Sequence, residues 1–198
     1  MSHYYTDNRS LPHNRKEISF RFSGLQFVFG TDNGVFSKEH VDTGTAILLN
    51  SLKDEPISGR ILDMGCGYGV IGIVMKRLFA DSEVVMADVN PRAVECSVSN
   101  AQRNGTECRI LVSDGFKQIE GSYNTIISNP PIRAGKAVIY QMFEDSARML
   151  ETGGRLYLVM RKQHGALSAV KKLEELFKTV EIIDKDKGFF VIRATKAD

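Results

Sequence analysis

The chain has 198 residues, 42% of them hydrophobic and 25% charged, and a formal net charge of +2. This composition excludes a disordered chain, allows a sizeable core, and carries too little net charge to announce a polyanionic partner by itself. No apolar run approaches the roughly 18 residues of a membrane-crossing helix, and the polar start MSHYYTDNRS lacks the apolar core of a signal peptide, so a cytoplasmic protein is expected.

Cys66, Cys96 and Cys108 are odd in number and without metal-ligand spacing, which fits reduced thiols and predicts neither a disulfide nor a metal site. His3, His13, His40 and His164 form no cluster. The basic stretches RKEISFRF, IRAGK, MRKQH and AVKKLEE can share one face, although solvated surface charge accounts for them equally well.

In chain order, ISFRFSGLQFVFG alternates apolar residues on either side of Ser23-Gly24, with Ile18, Phe20 and Phe22 before it and Leu25, Phe27 and Phe29 after it. This pattern predicts a β-hairpin. HVDTGTAILLNSL then reads as a helix that stops at the Pro56 to Gly59 break. RILDM is a short buried strand, GVIGIVMKRLF a helix, and SEVVMAD a second strand. NPRAVECSVSNAQRNG is a helix with Asn90 as N-cap, Pro91 at its first position and Gly105 at its close, and Val94, Val98 and Ala101 are expected on one face.

CRILV and YNTIIS are strands, GKAVIYQMFEDSARML is a helix ended by ETGG, and GRLYLVM is a fifth strand. LSAVKKLEELF places Leu167, Val170, Leu173 and Phe177 along a helical stripe. KTVEIID and GFFVIRAT are separated only by KDK and are expected to pair antiparallel. The alternation predicts an α/β fold: a doubly wound, mostly parallel seven-stranded sheet with helices on both faces and an antiparallel C-terminal hairpin, preceded by a short N-terminal β-hairpin extension.

Two stretches carry chemistry. DMGCGYG, residues 63–69, joins the first sheet strand to its helix, where glycines let the backbone turn sharply and approach a ligand facing the helix N–H groups. Gly67, Gly69 and Gly72 also satisfy G-x-G-x-x-G, and Asp88 ends the second strand, where a carboxylate can accept hydrogen bonds from the ribose hydroxyls of NAD or of S-adenosylmethionine. An adenosine is predicted, with its tail left open. SNPPIRAGK, residues 128–136, follows the fourth strand; its prolines lack N–H groups and hold Asn129 and Pro130 out of a helix, at the sheet edge where open α/β folds keep their chemistry.

Asp63 before the first glycine, Asp88 ending the second strand, Asp114 in SDG after the third and NPPI after the fourth resemble the ordered motifs of class I S-adenosylmethionine-dependent methyltransferases over roughly residues 60–195. The resemblance implies a Rossmann-like methyltransferase. By it, Asp63, Gly65, Cys66, Gly67 and Gly69 lie against the methionine part of the cofactor, Asp88 with Val89 at its ribose, Asp114 with Gly115 at its adenine, and Asn129 between cofactor and substrate. NPPIRAGK together with the upstream GVFS and VDTG resembles one branch, the small-domain ribosomal RNA guanine-N2 methyltransferases acting on the small subunit, over about residues 15–195. One methyltransferase domain over 1–198 follows, with a polar tail at 1–16, a hairpin and helix extension at 17–56, and the cofactor-binding catalytic core at 57–198.

The expected chemistry is methyl transfer to an exocyclic amino nitrogen. Asn129 Oδ1 and the Pro130 carbonyl would accept the two amino N–H bonds, with Pro131 and Ile132 completing the catalytic loop. Ile132 stands where many amino-group methyltransferases have Tyr or Phe, so it offers apolar contact without stacking; Phe36 is a candidate to stack on the base, or else a core phenylalanine. Arg133 and Lys136 are candidates to hold phosphates flanking an extruded nucleotide. The expected partner is ribosomal RNA or the small subunit, with no membrane and the oligomeric state left open. An adenine-N6 or protein glutamine-amide methyltransferase would use the same geometry. A nicotinamide dehydrogenase lacks its Tyr-x-x-x-Lys pair here, since Tyr140 is followed by Glu144 and Tyr157 by Arg161, and a non-catalytic RNA-binding module would not need Asp63 and Asn129 intact.

Overall fold

The computed structural model describes residue 12, residues 14–35, residue 37 and residues 39–197. The N-terminal hairpin pairs β1 (Lys16–Phe22) with β2 (Leu25–Thr31) antiparallel in full register, closed by Ser23 and Gly24 in the left-handed conformation that suits a two-residue hairpin turn. Next come α1 (Thr43–Leu52), β3 (Arg60–Met64), α2 (Val70–Leu78), β4 (Glu83–Asp88), α3 (Pro91–Arg103), β5 (Arg109–Val112), β6 (Tyr123–Ser128), α4 (Lys136–Met149), β7 (Leu150–Arg161), α5 (Ala166–Glu174), β8 (Thr179–Asp186) and β9 (Phe189–Thr195). The seven-stranded sheet runs β5-β4-β3-β6-β7-β9-β8, parallel except for β9, which is antiparallel to both neighbours.

The two faces of the sheet carry separate cores. Ile61, Val84, Met86 and Ile127 pack under α1, α2, α3 and the hairpin, while Leu62, Val85, Ile126 and Leu158 pack under α4 and α5. Crossovers from β3 and from β6 therefore leave in opposite directions, which opens a crevice at the carboxyl ends of these adjacent strands.

Helix α3 is where the apolar pattern misleads. Val98, expected on its buried face, is 39% exposed, and the buried positions beside Val94 and Ala101 are Ser97 and Asn100. The reason is backbone pairing. Asn100 accepts from Gly30 N–H at 2.7 Å and donates to Gly30 C=O at 2.9 Å, and Asn104 does the same with Val28 at 3.0 and 2.9 Å. Four helical residues advance about 6 Å and two strand residues about 6.8 Å, so asparagines one turn apart match alternate residues of the β2 edge. The helix acts as a third strand for the hairpin.

Two further details differ from the sequence pattern. Leu167 is 51% exposed because the stripe of α5 runs instead through Ala166, Ala169 and Leu173, and Phe177, though buried, lies beyond the helix end. Strand β7 begins at Leu150, directly after α4, with ETGG absorbed as an irregularity between the Tyr123↔Leu150 and Thr125↔Arg155 pairs.

Asn100→Ala would strip partners from the Gly30 N–H and C=O and from the Tyr68 carbonyl, which Asn100 Nδ2 also reaches at 2.8 Å. The expected loss is about 2–3 kcal/mol of stability, seen as a drop of roughly 5–10 °C in Tm. Hydrogen exchange at Gly30 should accelerate with it.

Candidate active site

The glycine turn after β3 is held from beneath. Gly65 and Cys66 donate their N–H groups to the Ala87 carbonyl at 2.9 and 3.0 Å, Gly67 N–H reaches Asp88 Oδ2 at 2.8 Å, and Gly69 N–H returns to the Cys66 carbonyl. Gly65 and Gly67 have φ of 75° and 58°, a region that side chains disfavour, and a Cβ at either would meet nothing within 4 Å. The turn thus presents bare backbone to open space. Gly72 serves a different need: a Cβ there would lie 2.2 Å from Met86 Sδ, so glycine lets α2 settle onto β4.

Asp63 is fully buried. Its Oδ2 accepts from Gly72 N–H at 2.8 Å, while Oδ1 has no hydrogen-bond partner. Burial, with the negative charge of nearby Asp88 adding to it and the Gly72 bond opposing, pushes its carboxyl up to about 7. Asp88 is also buried, with Oδ2 on Gly67 N–H and Oδ1 accepting from Asn90 N–H at 2.8 Å. Cys66 turns its thiol toward Ser97 Oγ at 3.7 Å, and burial first, then the charges of Asp63 and Asp88, push that thiol well above its usual range. Val89 is half-buried beside Asp88.

Across the crevice, Ser128 at the end of β6 donates to the Met64 carbonyl at 2.7 Å, tying the two strand ends together. Asn129 follows, half-buried, and its Nδ2 donates to Asp42 Oδ2 at 3.0 Å and to Thr45 Oγ1 at 3.1 Å. Among the described residues, neither Asn129 Oδ1 nor the Pro130 carbonyl receives a hydrogen bond. Pro130 is buried, Pro131 and Ile132 are half-buried, and the chain then makes a short 3-10 turn over Ile132–Ala134 that contains Arg133.

The remaining predicted residues spread outward. Asp114 is 67% exposed at its side chain and pairs with Lys117 at 2.5 Å, next to Gly115, where a Cβ would again meet open space. Lys136, exposed on α4, lays its Nζ over the Tyr140 ring at 5.0 Å. Phe36 lies outside the described residues. Asp42, Thr45 and Ser128 carry no prediction from the sequence. The one available signal was VDTG, which reads as a helix N-cap and is one: Asp42 Oδ2 accepts from Thr45 N–H at 3.1 Å. Its second bond, to Asn129 across 87 residues of chain, has no local signature.

A family model described as the methyltransferase small domain matches residues 26–193. The chain belongs to this family. It is a class I S-adenosylmethionine-dependent methyltransferase. It is 45% identical over 197 residues to the uncharacterized protein YbxB of Bacillus subtilis, covering 98% of either chain. It is 33% identical to the ribosomal RNA small subunit methyltransferase C of Pseudoalteromonas atlantica, over 90% of this chain and 50% of that protein. Among solved structures, the T. thermophilus 16S rRNA N2 G1207 methyltransferase, in complex with AdoMet and guanosine, is similar at a TM-score of 0.84 and 27% identity, over 94% of this chain and 52% of that one. The methyltransferase spans about half the length of these ribosomal RNA relatives.

The residues present fit the family's cofactor. An orphaned carboxyl oxygen at Asp63 and a glycine turn with open space above it suit a ligand carrying donors and positive charge. Asp63 also makes a prediction for the ligand-free methyltransferase. Because its folded value is raised from 3.8 to about 7, the folded protein holds a proton that the unfolded chain has released between these limits, so the contribution of Asp63 to stability is full below about 4 and is lost as pH rises to about 7. Tm measured against pH should show this decline in the wild type and lose it in Asp63→Asn; parallel curves would mean that Asp63 stays charged in the fold.

Proposed function

We propose that this methyltransferase transfers the methyl group of S-adenosylmethionine to an exocyclic amino nitrogen, guanine N2 of small-subunit ribosomal RNA. The observation that carries the reading is the state of Asn129: both hydrogens of its amide are engaged by Asp42 and Thr45, which leaves Oδ1, like the carbonyl of the next residue Pro130, an acceptor without a partner among the described residues. Such a pair matches the two hydrogens of an amino group.

An amino nitrogen conjugated to a base is a poor nucleophile because its lone pair is delocalised into the ring. When Asn129 Oδ1 and the Pro130 carbonyl accept its two N–H bonds, the nitrogen can pyramidalise and free that lone pair, and the same acceptors stabilise the positive charge it gains. The prolines keep both acceptors in fixed relation, so little reorganisation accompanies the step. No strong general base is required, since the methylated nitrogen is acidic until it releases its proton.

Asp63, Gly65 and Gly67 would hold the methionine part of the cofactor, Asp88 and Val89 its ribose, and Asp114 and Gly115 its adenine, with Cys66 and Gly69 shaping the turn. Bound there, S-adenosylmethionine supplies a methyl group already activated on a sulfonium. Ile132, half-buried after the prolines, offers the base an apolar surface, and Lys136 would meet a flanking phosphate, while the side chain of Arg133, the other candidate, lies outside the described residues. The guanine and ribosomal assignment draws on the two ribosomal RNA relatives above. Basic residues at the carboxyl end of β7 support it: Arg161 lies over the Phe189 ring at 4.4 Å, and it and Lys162 make no ion pair among the described residues.

The test is transfer of labelled methyl from S-adenosylmethionine to unmodified small ribosomal subunits and to their naked RNA, followed by nucleoside mass analysis. N2-methylguanosine is the expected product; label in N6-methyladenosine, or none in RNA and label in protein glutamine, would replace the target. Asn129→Ala should lower kcat by about 100-fold or more, with the dissociation constant for S-adenosylmethionine nearly unchanged. Equal loss of both would place Asn129 in cofactor binding alone.

A further inference from the structure

The contact that orients Asn129 comes from a part of the chain outside the cofactor-binding core. Asp42 precedes α1, in the segment that links the hairpin to the sheet, and Thr45 lies in the first turn of that helix. Asp42 is held on both sides: its carbonyl accepts from Ala46 N–H at 2.9 Å and its Oδ2 from Thr45 N–H at 3.1 Å. Gly44 keeps this turn tight against β9, where a Cβ would meet the Phe189 ring at 2.9 Å and Asp42 Oδ2 at 3.0 Å. The carboxylate therefore has little freedom to follow a moving partner.

An asparagine amide is ambiguous, because rotation by half a turn exchanges an acceptor for two donors. Here the ambiguity is removed by chemistry. A carboxylate oxygen only accepts, so the atom facing Asp42 Oδ2 at 3.0 Å is the amide nitrogen, and its second hydrogen is taken by Thr45 Oγ1 at 3.1 Å. Oδ1 is thereby kept on the other branch of the amide, where it has no partner among the described residues. An anionic acceptor on the N–H side also polarises the amide and places more negative charge on Oδ1, where the developing ammonium needs it.

We propose that Asp42 and Thr45 are positioning residues that set the hydrogen-bond polarity of Asn129, and so make the site select a substrate –NH2 over a carbonyl oxygen. With Oδ1 presented, a carbonyl edge meets oxygen against oxygen and is refused; with Nδ2 presented, it would be welcomed. This rests on the amino-group reading above, and it adds a basis for choosing between the amino and carbonyl edges of one guanine. It also gives the N-terminal segment a role in the chemistry as well as in the architecture.

The variants are chosen to spare the fold. Asp42→Ser keeps an N-cap acceptor for Thr45 N–H but is too short to reach Asn129, and Thr45→Val removes the hydroxyl at nearly constant volume. On unmodified small subunits the double variant should lose about 10–100-fold in kcat, with KM, the dissociation constant for S-adenosylmethionine and Tm close to wild type. In an Asn129→Ala background the same pair should cause no further loss, because the residue they orient is gone. Thr45→Ser should restore most of the rate.

A substrate-independent readout accompanies these kinetics. The Asn129 side-chain NH2 resonances, identified by their loss in Asn129→Ala, should exchange slowly in the wild type and rapidly in the double variant. An unchanged kcat, an equal loss in the Asn129→Ala background, or NH2 protons that exchange freely in the wild type would each overturn the proposal. If the wild type methylates no ribosomal RNA, the ribosomal target falls, and the exchange of those protons decides the clamp by itself.

Discussion

The site exists because β3 and β6 lie side by side and send their chains to opposite faces of the sheet. Parallel strands with right-handed crossovers make this unavoidable once the order reverses, and the reversal leaves their carboxyl ends uncovered. The Ser128 to Met64 bond spans that gap at 2.7 Å and fixes how far the two ends splay. On one side of it the chain makes the glycine turn, and on the other it makes Asn-Pro-Pro. The glycine turn and Asn-Pro-Pro are neighbours because of strand order, although Asn129 lies 60 positions after Gly69 in the chain.

A second constraint joins the N-terminal extension to this edge. The Asn100 and Asn104 pairs fasten β2 to α3, and Asn90 continues the seam by donating to the Gly34 carbonyl at 3.0 Å while its own N–H rests on Asp88. Asp88 therefore sits between the glycine turn and the anchor of the extension. Past that seam the chain reaches Asp42 and closes on Asn129. Asparagines and aspartates supply the hydrogen bonds of both joints, the first beside the apolar packing of Phe27 and Phe29 and the second between Asp42 and Asn129.

That composition explains what could be read in the sequence. The strands RILDM, SEVVMAD and YNTIIS and the helix opened by Asn90-Pro91 announced themselves because apolar period and cap chemistry are local signals. The glycine turn and Asn-Pro-Pro were visible for the same reason, each being a short motif at a strand end. Val98 turns outward and Asn100 inward, against the apolar pattern, because a polar residue pairing with a distant backbone looks, in sequence, like a residue facing solvent. Asp42 shows the limit most clearly: its local bond to Thr45 N–H is a recognisable cap, while its bond to Asn129 depends on tertiary placement that no local spacing encodes.

The polarity of the crevice is uneven in a way that bears on its chemistry. Asp63 Oδ1, Asn129 Oδ1 and the Pro130 carbonyl are acceptors without donors among the described residues, and the first of them is fully buried. A buried acceptor left without a donor costs about 1–3 kcal/mol. On the amino-group reading, an amine gaining a methyl group and a sulfonium losing one would both be cationic along the reaction, and acceptors already fixed in place would not need to reorient as that charge shifts. On that reading, the acceptors that cost the fold stability are the ones complementary to the transferring state.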